Sequence, residues 1–276
     1  VMAMCLIQLN NVHMAFVYII SGILLSLIGY SAWRFWKLNS EKADRQSKRL
    51  KMQMTSNIAH ELRTPVTSIR GYLETLLACP DLPAEKKQAF IERAYNQTLR
   101  LSDLISDMAL ITKIEESPEK LAKESVDVYE VASEVFDEFA ERIAERKVKV
   151  ENLLKPGTIT KGNRTLIYAI IRNLVENSLK YAGEGVTLHL ECYSYIDKLF
   201  YFNYYDTGKG VPQEHLEHIF ERFYRVSEGR SRDDGGSGLG LSIVRNSIVF
   251  HGGDIKVMNR QGGGLQFLFT LRRKHD

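Results

Sequence analysis

The stretch NLVENSLKY, residues 173–181, places two amides and an amine on one side of a predicted helix. Asn173 and Asn177 are four residues apart, so they stack on one helix face, and Lys180 follows three residues later along the same edge. An amide carbonyl is a suitable ligand for a hard divalent cation, and a lysine supplies a point charge for phosphate. The polar face of an ordinary amphipathic helix has the same pattern, so this stretch alone does not choose between the two.

Two glycine-containing stretches follow. DTGKG, residues 206–210, comes directly after the aromatic run FYFNYYD and is typical of a turn when taken alone. DDGGSGLGLSIV, residues 233–244, places Gly236, Gly238 and Gly240 just before an apolar helix, where backbone N–H groups can approach a phosphate and the helix dipole favours an anion. The spacing is neither that of a P-loop nor that of a dinucleotide-binding fingerprint. A flexible surface loop explains it equally well.

The segment HELRTP, residues 60–65, puts a proline five residues after a histidine inside an otherwise helical pattern. In one interpretation, Thr64 is an N-cap and Pro65 begins a new helix. In the other, one helix continues through Pro65, loses the hydrogen bond to the carbonyl of Glu61 at a cost of about 3 kcal/mol, and bends just beyond His60. The local pattern leaves these two interpretations nearly equal.

The first of two regions that would carry these residues is helical. Apolar positions recur at steps of three and four from Ile58 to Leu77 and again from Phe90 to Ile111, on either side of the turn CPDLP. This predicts an antiparallel hairpin of two long helices. The hairpin needs a partner for its apolar stripe, and a second copy gives a four-helix bundle from two chains.

The second region, from residue 121 onward, alternates between helix and strand patterns. Helices are predicted at residues 128–146, 164–181 and 239–250. Strands are predicted at KVKV, VTLHLECYSYI, KLFYFNYYD, DIKVMN and LQFLFTLR, with hairpin turns near Asp197 and in RQGGG. This order indicates an α/β sandwich of antiparallel or mixed strands with helices on one face.

The first 33 residues contain no Lys, Arg, Asp or Glu. As a helix, residues 14–33 would span about 30 Å, the thickness of a bilayer core. Seven basic and two acidic residues follow between Arg34 and Lys51. This order predicts a membrane helix with everything after Trp36 in the cytoplasm, whereas a signal peptide carries its basic residues before the apolar run.

Cysteine spacing indicates the redox compartment of the protein, and net charge bears on whether it binds nucleic acid. The three cysteines form no CxxC motif, which suits a reducing compartment. A net charge of +3 does not indicate a nucleic-acid-binding surface, so no nucleic-acid partner is expected.

Taken together and in this order, residues 173–181, 206–210, 219–225 (IFERFYR) and 233–244 resemble the N, G1, F and G2 boxes of the GHKL ATP-binding fold of sensor histidine kinases. NIAHELRTPVTSI resembles the H box of the same family. The likeness covers about residues 50–273. It implies a multidomain chain: a transmembrane helix, a helical hairpin that dimerises into a four-helix bundle, and an α/β sandwich of the GHKL or Bergerat type.

The domain boundaries that we predict follow from these patterns. They are a membrane segment at 1–36, a helical linker at 37–56, a dimerisation and histidine phosphotransfer domain at 57–114, a linker at 115–120 and a catalytic ATP-binding domain at 121–276. Only about fifteen residues separate the predicted membrane helix from the H-box helix, so we expect no signal-relay module between them.

The resemblance implies that His60 is the phosphoacceptor, Glu61 its acid/base partner, and Thr64 the position that dephosphorylates the partner protein. Adjacent helical residues lie about 100° apart, so spacing alone does not bring Glu61 against His60, whereas it does put Thr64 one turn above. A carboxylate that hydrogen-bonds one ring nitrogen leaves the other free to attack. The apolar stripe keeps its phase across Pro65, and with the family likeness this favours one kinked, continuous helix.

In the other boxes the resemblance implies binding of ATP and Mg²⁺. Asn177 would hold Mg²⁺ between the phosphates, Asn173 would bond phosphate oxygens, and Asp206 would accept a hydrogen bond from the adenine amino group. The other nucleotide-binding residues expected from the resemblance are Lys180, Tyr181, Gly208, Gly210, Phe220, Arg225, Gly236, Gly238, Leu239, Gly240 and Leu241. Ser178, where the family usually has Ala, and Lys209, between the G1 glycines, are small departures.

The function implied by the resemblance is that of a homodimeric kinase in the inner membrane of a bacterial cell. It would autophosphorylate on His60 with ATP, pass the phosphoryl group to an aspartate of a response-regulator receiver domain, and also dephosphorylate that domain. A phosphatase-dominant or weakly active scaffold of the same fold is the alternative. A GHKL ATPase of the topoisomerase, mismatch-repair or chaperone type would have neither an H box nor a membrane helix.

Overall fold

The computed structural model describes residues 26, 29–31, 33–41, 55–226 and 236–273, and the chain divides into two compact units, 1–59 and 60–276. In the first unit, residues 33–41 are helical. Within the described ranges, no helix combines the length and the apolar character that crossing a bilayer requires. Most of the predicted membrane span at 14–33, and most of the predicted linker at 37–56, lie outside the described residues.

The predicted helical hairpin is confirmed. Helix α1 covers residues 55–78 and helix α2 covers Ala84–Glu116, with a turn over 79–83 between them. Rings of Tyr72 and Phe90, 5.9 Å apart, connect the two helices. The backbone of α1 stays helical through Pro65, so the prediction of one continuous helix is confirmed and the N-cap interpretation of Thr64 is wrong, whereas the bend beyond His60 stays a prediction.

Helix α2 extends into the segment that the sequence predicts as a linker. It ends at Glu116 and is followed by a 3₁₀ turn at Pro118–Lys120. A proline at the first position of that turn has no N–H to continue the α-helical ladder, which explains why α2 ends here.

The remaining part of the chain begins with a small sheet that the sequence patterns did not predict. Strand β1 (Glu124–Asp127) pairs antiparallel with β3 (Ile159–Gly162). Where one helix was predicted at 128–146, two are found, α3 (Val128–Glu138) and α4 (Ala140–Glu145). The junction is Phe139, whose backbone leaves the helical region (φ −91°, ψ 5°) while its ring is buried.

The main sheet has five strands in the order β2-β4-β5-β7-β6. β2 is parallel to β4 and the other neighbours are antiparallel, so the predicted α/β sandwich with mixed strands is confirmed. The strands are β2 (Lys149–Asn152), β4 (Thr187–Ile196), β5 (Leu199–Asp206), β6 (Ile255–Asn259) and β7 (Leu265–Arg272). Asp197 forms the β4–β5 turn with a positive φ of 53°.

The core lies between this sheet and three helices, α3, α5 (Arg164–Tyr181) and α6 (Gly240–Phe250). Along β5 every second residue is buried, beginning with Phe200 and ending with Asp206. Phe202 and Tyr204 on this face are fully buried, and Phe202 stacks on Phe269 of β7 at 5.0 Å. Because alternate residues of a strand share a face, the same alternation directs Asp206 toward the helices.

Candidate active site

A cleft of about 1310 Å³ lies where the ends of α5 and β5 meet the helical hairpin. Its walls come from α5, the loop after β5, the segment from Gly236 to Leu241 and the facing sides of α1 and α2. Of the H-box segment, Glu61 and Pro65 line the cleft. The structure therefore brings residues that are more than 100 positions apart in the chain to one space.

Helix α5 presents the predicted N-box residues to this cleft. Asn163 caps the helix, its side chain accepting a hydrogen bond from the N–H of Leu166. Asn173 and Asn177 line the cleft, and the Nδ2 of Asn173 donates to the carbonyl of Ala169 at 2.7 Å. The Oδ1 of Asn173 lies against Gly240, where an added Cβ would come within 2.6 Å of it. A side chain at position 240 would displace the Asn173 amide, so glycine lets the start of α6 approach α5 with this amide in place.

Charged residues on α5 form a chain along the cleft. Glu176 lies 2.8 Å from the Nζ of Lys180 and 3.5 Å from Arg172. Burial opposes ionisation of Glu176, but the charges of Lys180 and Arg172 outweigh it and hold its pKa below the usual value. The cleft wall therefore carries an ionised carboxylate between two cations.

Asp206 is the most fully enclosed predicted site residue that ionises, with 4% of its surface exposed. Its Oδ1 accepts hydrogen bonds from the N–H groups of Gly208 at 2.9 Å and Leu265 at 3.3 Å. Its Oδ2 accepts from the hydroxyl of Ser178 at 3.1 Å. Both acceptor directions of Oδ1 are used, whereas Oδ2 keeps one for a ligand.

Ser178 has a larger role than the size exchange that the sequence suggested. Its Oγ lies 3.0 Å from the hydroxyl of Tyr204, which in turn lies 3.1 Å from the carbonyl of Leu174. Ser178 and Tyr204 are both almost fully buried. Sequence reasoning missed Tyr204, although its place two residues before Asp206 on the same strand face was a usable signal. This network fixes the orientation of the Asp206 carboxylate.

The loop after β5 is packed too closely for a side chain at Gly208. A Cβ on Gly208 would lie 2.5 Å from the carbonyl oxygen of Ala182 at the end of α5. Gly210 has a φ of +68°, and its neighbour Val211 exchanges two hydrogen bonds with the side chain of Asn259. Lys209 between them is exposed and lines the cleft. The G1 glycines therefore let the loop lie directly on α5 and β6.

The F-box and G2-box segments are joined by backbone contacts. The N–H of Phe223 donates to the carbonyl of Gly238 at 2.8 Å, and both residues have positive φ, +64° and +70°. A Cβ on Gly236 would lie 2.5 Å from the hydroxyl of Tyr181. Phe220 packs edge-on against Phe267 of β7. Residues 227–235 between the two segments lie outside the described residues.

The other predicted nucleotide residues lie near these segments. Leu239 is fully buried, while Arg225 and Leu241 line the cleft. Arg225 also interacts with another part of the protein.

His60 stands beside the cleft with its side chain 67% exposed. Its Nδ1 lies 4.0 Å from Oε1 of Glu61, close enough for a hydrogen bond after a small side-chain movement. The hydroxyl of Thr64 donates to the carbonyl of His60 at 3.3 Å, one turn away as its spacing predicts. An exposed imidazole with a neighbouring carboxylate is a suitable nucleophile for a group delivered from outside the helix.

Two family models match separate parts of the chain. The His Kinase A (phospho-acceptor) domain matches residues 50–117, which include α1 and α2. The histidine kinase-, DNA gyrase B- and HSP90-like ATPase matches residues 162–275, which include α5, the cleft glycines and most of the main sheet.

Similar proteins carry the same pair of regions. The sensor histidine kinase WalK of Bacillus subtilis is 31% identical over 86% of this chain and 38% of its own length. The sensor histidine kinase RppB of Synechocystis is 30% identical over 90% of this chain and 55% of its own length. The chain thus spans about half or less of these curated relatives. Among solved structures, the histidine kinase ThkA in complex with the response regulator protein TrrA is 25% identical, covers 86% of this chain and 66% of the ThkA chain, and has a TM-score of 0.66.

Proposed function

Since the chain belongs to the sensor histidine kinases of two-component systems, we propose that it phosphorylates its own His60 with ATP and passes the phosphoryl group to an aspartate of a response regulator. The observation that carries this proposal is the shared cleft. Glu61, adjacent to the candidate phosphoacceptor, lines the same space as Asn177 and Asp206 of the ATPase fold. A donor held in that space would have the H-box helix as one of its walls.

The residues around the cleft suit a purine nucleotide. Asp206 offers the free acceptor direction of Oδ2 to an exocyclic amino group, and a base without that donor would leave a buried acceptor unsatisfied. Gly236, Gly238 and Gly240 line the cleft, and having no side chains they leave their backbone open to it. Backbone N–H groups before α6 together with Lys180 and Lys209 would hold the phosphates.

Mg²⁺ is part of the proposal, with Asn177 as its protein ligand. No cluster of three or more His, Cys, Asp or Glu side chains suited to a metal occurs among the described residues. An ion that keeps several waters and binds through phosphates needs few protein oxygens, and one amide carbonyl fits that requirement. When bound, Mg²⁺ neutralises charge that develops on the phosphate oxygens.

Transfer to His60 requires the neutral imidazole. One ring nitrogen attacks the γ-phosphorus, the bond from that phosphorus to the bridging oxygen breaks, and ADP leaves with the bonding electron pair. Glu61 would hold the N–H of Nδ1, so that Nε2 attacks and the positive charge on the phosphorylated ring faces a carboxylate. The transition state is loose, so positioning and charge stabilisation supply most of the catalysis.

A second copy of the chain is the proposed partner of the hairpin. Large apolar side chains of α1 and α2 are about half exposed or more, including Leu73, Leu77, Ile91, Leu99 and Ile105. Burying side chains of this size stabilises an interface by about 25 cal/mol per Å² of apolar surface. We therefore propose a four-helix bundle formed by two hairpins.

The receiver domain of a response regulator is the second proposed partner. ThkA, of similar fold, has been solved with its response regulator protein TrrA. The exposure of His60 leaves its ring accessible from solvent, as transfer to a separate protein requires. The membrane anchor at residues 14–33 and the cytoplasmic position of the catalytic part belong to the same proposal.

Labelling of His60 tests the proposed function. The chain is incubated with γ-labelled ATP and Mg²⁺, and we expect a label that is lost in acid and kept in base, as for a phosphoimidazole. His60→Gln should abolish this label. His218→Gln is the matched control, because the side chain of His218 is also about half exposed but lies outside the H box. Label that survives His60→Gln would contradict the assignment.

Thr64→Ala separates the kinase from its phosphatase alternative. The Thr64 hydroxyl donates only to a backbone carbonyl, so its removal should leave α1 folded and the labelling of His60 within about twofold of the wild type. Removal of phosphate from the labelled regulator should slow by about tenfold or more, as for loss of a group that positions water. An unchanged rate would exclude Thr64 from that reaction.

A further inference from the structure

One face of α2 packs against the ATPase domain. Ile114 of α2 is buried with Leu166 of α5. Leu110, also of α2, and Phe250 of α6 pack against the same cluster. Asp107 lies three residues before Leu110, so it occupies the same helix face one turn nearer the cleft. It lines the cleft, and it is partly buried there although it is a carboxylate.

Asp107 contacts the glycine-rich segment through Ser237. The Oγ of Ser237 lies 3.4 Å from Oδ2 of Asp107, to which its hydroxyl donates. The same Oγ accepts from the N–H of Leu239 at 3.3 Å, directly before α6 begins at Gly240. The serine thereby joins the N-terminal end of α6 to the hairpin, across 130 residues of chain.

The surroundings of Asp107 disfavour its charge. The pKa of Asp107 is raised to about 6, from an ordinary value of 3.8, and burial is the largest cause. The charge of Arg172 opposes this rise, whereas the charges of Glu176 and Asp103 add to it. The hydrogen bond from Ser237 also favours the charged form. The other charged groups on the walls of the same cleft are Glu61 of α1, Arg100 of α2, Arg142 of α4, Lys180 of α5, Asp206 of β5, Lys209 and Arg225.

We propose that Asp107 is a positioning residue that fastens the glycine-rich segment to the hairpin through Ser237, and that its charge sets how strongly the cleft binds nucleotide phosphates. This inference rests on the proposed function. An ionised Asp107 places a negative charge beside the segment that would hold the phosphates, which opposes their binding. A neutral Asp107 keeps the contact with Ser237 without that repulsion. Because burial outweighs the Ser237 hydrogen bond, which by itself favours the carboxylate, acidification should favour the arrangement that buries Asp107 and should tighten the binding of ATP.

The sign and size of the effect follow from linkage. Release of the Ser237 segment would admit water to Asp107 and move its pKa toward the ordinary value, so the fastened arrangement would take up a proton between about pH 4 and 6. Fastening is favoured below that window and weakened above it, by up to about 100-fold for a shift of two pKa units.

Asp107→Asn is the main test, because it imitates the neutral acid and still accepts from Ser237. Affinity for Mg-ATP is measured for the full chain from pH 5 to 8. At pH 7.5 the variant should bind about 3- to 10-fold more tightly than the wild type, as expected for removing one nearby, partly screened charge. The two curves should converge near pH 5. Titration of ATP itself affects both proteins equally and cancels in their ratio.

Asp103→Asn is the matched control. Asp103 lies one turn earlier on α2 and lines the same cleft, and it makes no hydrogen bond with Ser237 among the described residues. Asp107 is still present in this variant, so its affinity should keep a pH-dependent step like that of the wild type, moved slightly toward lower pH because Asp103 adds to the rise in the pKa of Asp107. If Asp103→Asn reproduces the pH profile of Asp107→Asn, or if Asp107→Asn matches the wild type at every pH, the inference is overturned.

Hydrogen exchange of residues 236–244, corrected for intrinsic rates, measures fastening without nucleotide. Wild-type exchange should be slower at pH 5.5 than at pH 7.5, Asp107→Asn slow at both, and Ser237→Ala fast at both. Equal protection in all three proteins would contradict the contact. A wild type that neither binds Mg-ATP nor labels His60 would instead overturn the proposed function, which separates the two failures.

Discussion

Asp206→Asn should alter which purine the cleft prefers. In the structure, Oδ1 of Asp206 is held by the N–H groups of Gly208 and Leu265, and an asparagine carbonyl can keep both bonds. The amide nitrogen must then replace Oδ2, where the hydroxyl of Ser178 can turn to accept from it. The direction that Oδ2 offers to an adenine amino group becomes a donor. With ATP, the new amide N–H would face the adenine amino group, which is also a donor. With a 6-oxo purine it would face a carbonyl oxygen, which accepts.

The magnitude follows from the bond that is lost. A hydrogen bond to a charged group contributes about 1.5–3 kcal/mol, which is about 10- to 150-fold in affinity. We therefore expect ATP to bind Asp206→Asn about 10- to 150-fold more weakly than the wild type. Inosine triphosphate, which has an oxygen in place of the amino group, should lose much less, so the ratio of the two affinities should fall by at least about tenfold.

The assay is equilibrium binding of both nucleotides with Mg²⁺ at one pH, with urea unfolding of each protein as a check on folding. Ser178→Ala is the control variant, because it removes the neighbouring hydroxyl and leaves the carboxylate, and it should keep the preference for ATP. If Asp206→Asn is folded and its ratio of ATP affinity to inosine triphosphate affinity stays within threefold of the wild-type ratio, Asp206 does not bind the 6-amino group of the base.

Two further predictions concern stability. His251 accepts a hydrogen bond from the N–H of Asn163 at 2.9 Å, and burial lowers the pKa of His251, so its contribution to stability is complete above about pH 6.5 and is lost as the pH falls. Between pH 7.5 and 5.5 the free energy of unfolding, measured with urea, should therefore fall more for the wild type than for His251→Gln. Equal losses in the two proteins would refute this. Gly264 has a φ of +101° and an added Cβ would collide with the carbonyl of Asp206, whereas Gly183 has a φ of +114° in open space. Gly264→Ala should cost about 1–3 kcal/mol more than Gly183→Ala in the free energy of unfolding, and equal costs would show that the loop yields freely.

The local periodicity of apolar residues predicted much of the fold. Steps of three and four residues predicted the hairpin and α5, and β-rich stretches predicted the strands of the main sheet and its two hairpins, β4–β5 and β6–β7, but not the order of the whole sheet. The i, i+4 spacing also predicted that Asn173 and Asn177 share a side of α5, and both line the cleft. These features depend on neighbours in the chain, so a sequence contains them directly.

Local pattern was insufficient where a distant contact decides the outcome. The N-cap and single-helix interpretations of Pro65 were nearly equal by pattern, and the structure has one helix with Pro65 buried against the cleft. The helix predicted at 128–146 breaks at Phe139, whose ring enters the core. The β1–β3 sheet joins two four-residue strands that are too short for a clear alternation.

The sequence by itself determined the kinds of side chain available and the face or loop on which each one lies, because helix and strand geometry fix those positions within a few residues. Only the tertiary structure decided which groups meet. Ser178 meets Asp206 from a different element, Asp107 meets Ser237 across 130 residues, and Glu61 reaches the cleft lined by Asn177. Contacts of this kind depend on how whole elements pack, and the pattern within one element carries no record of them.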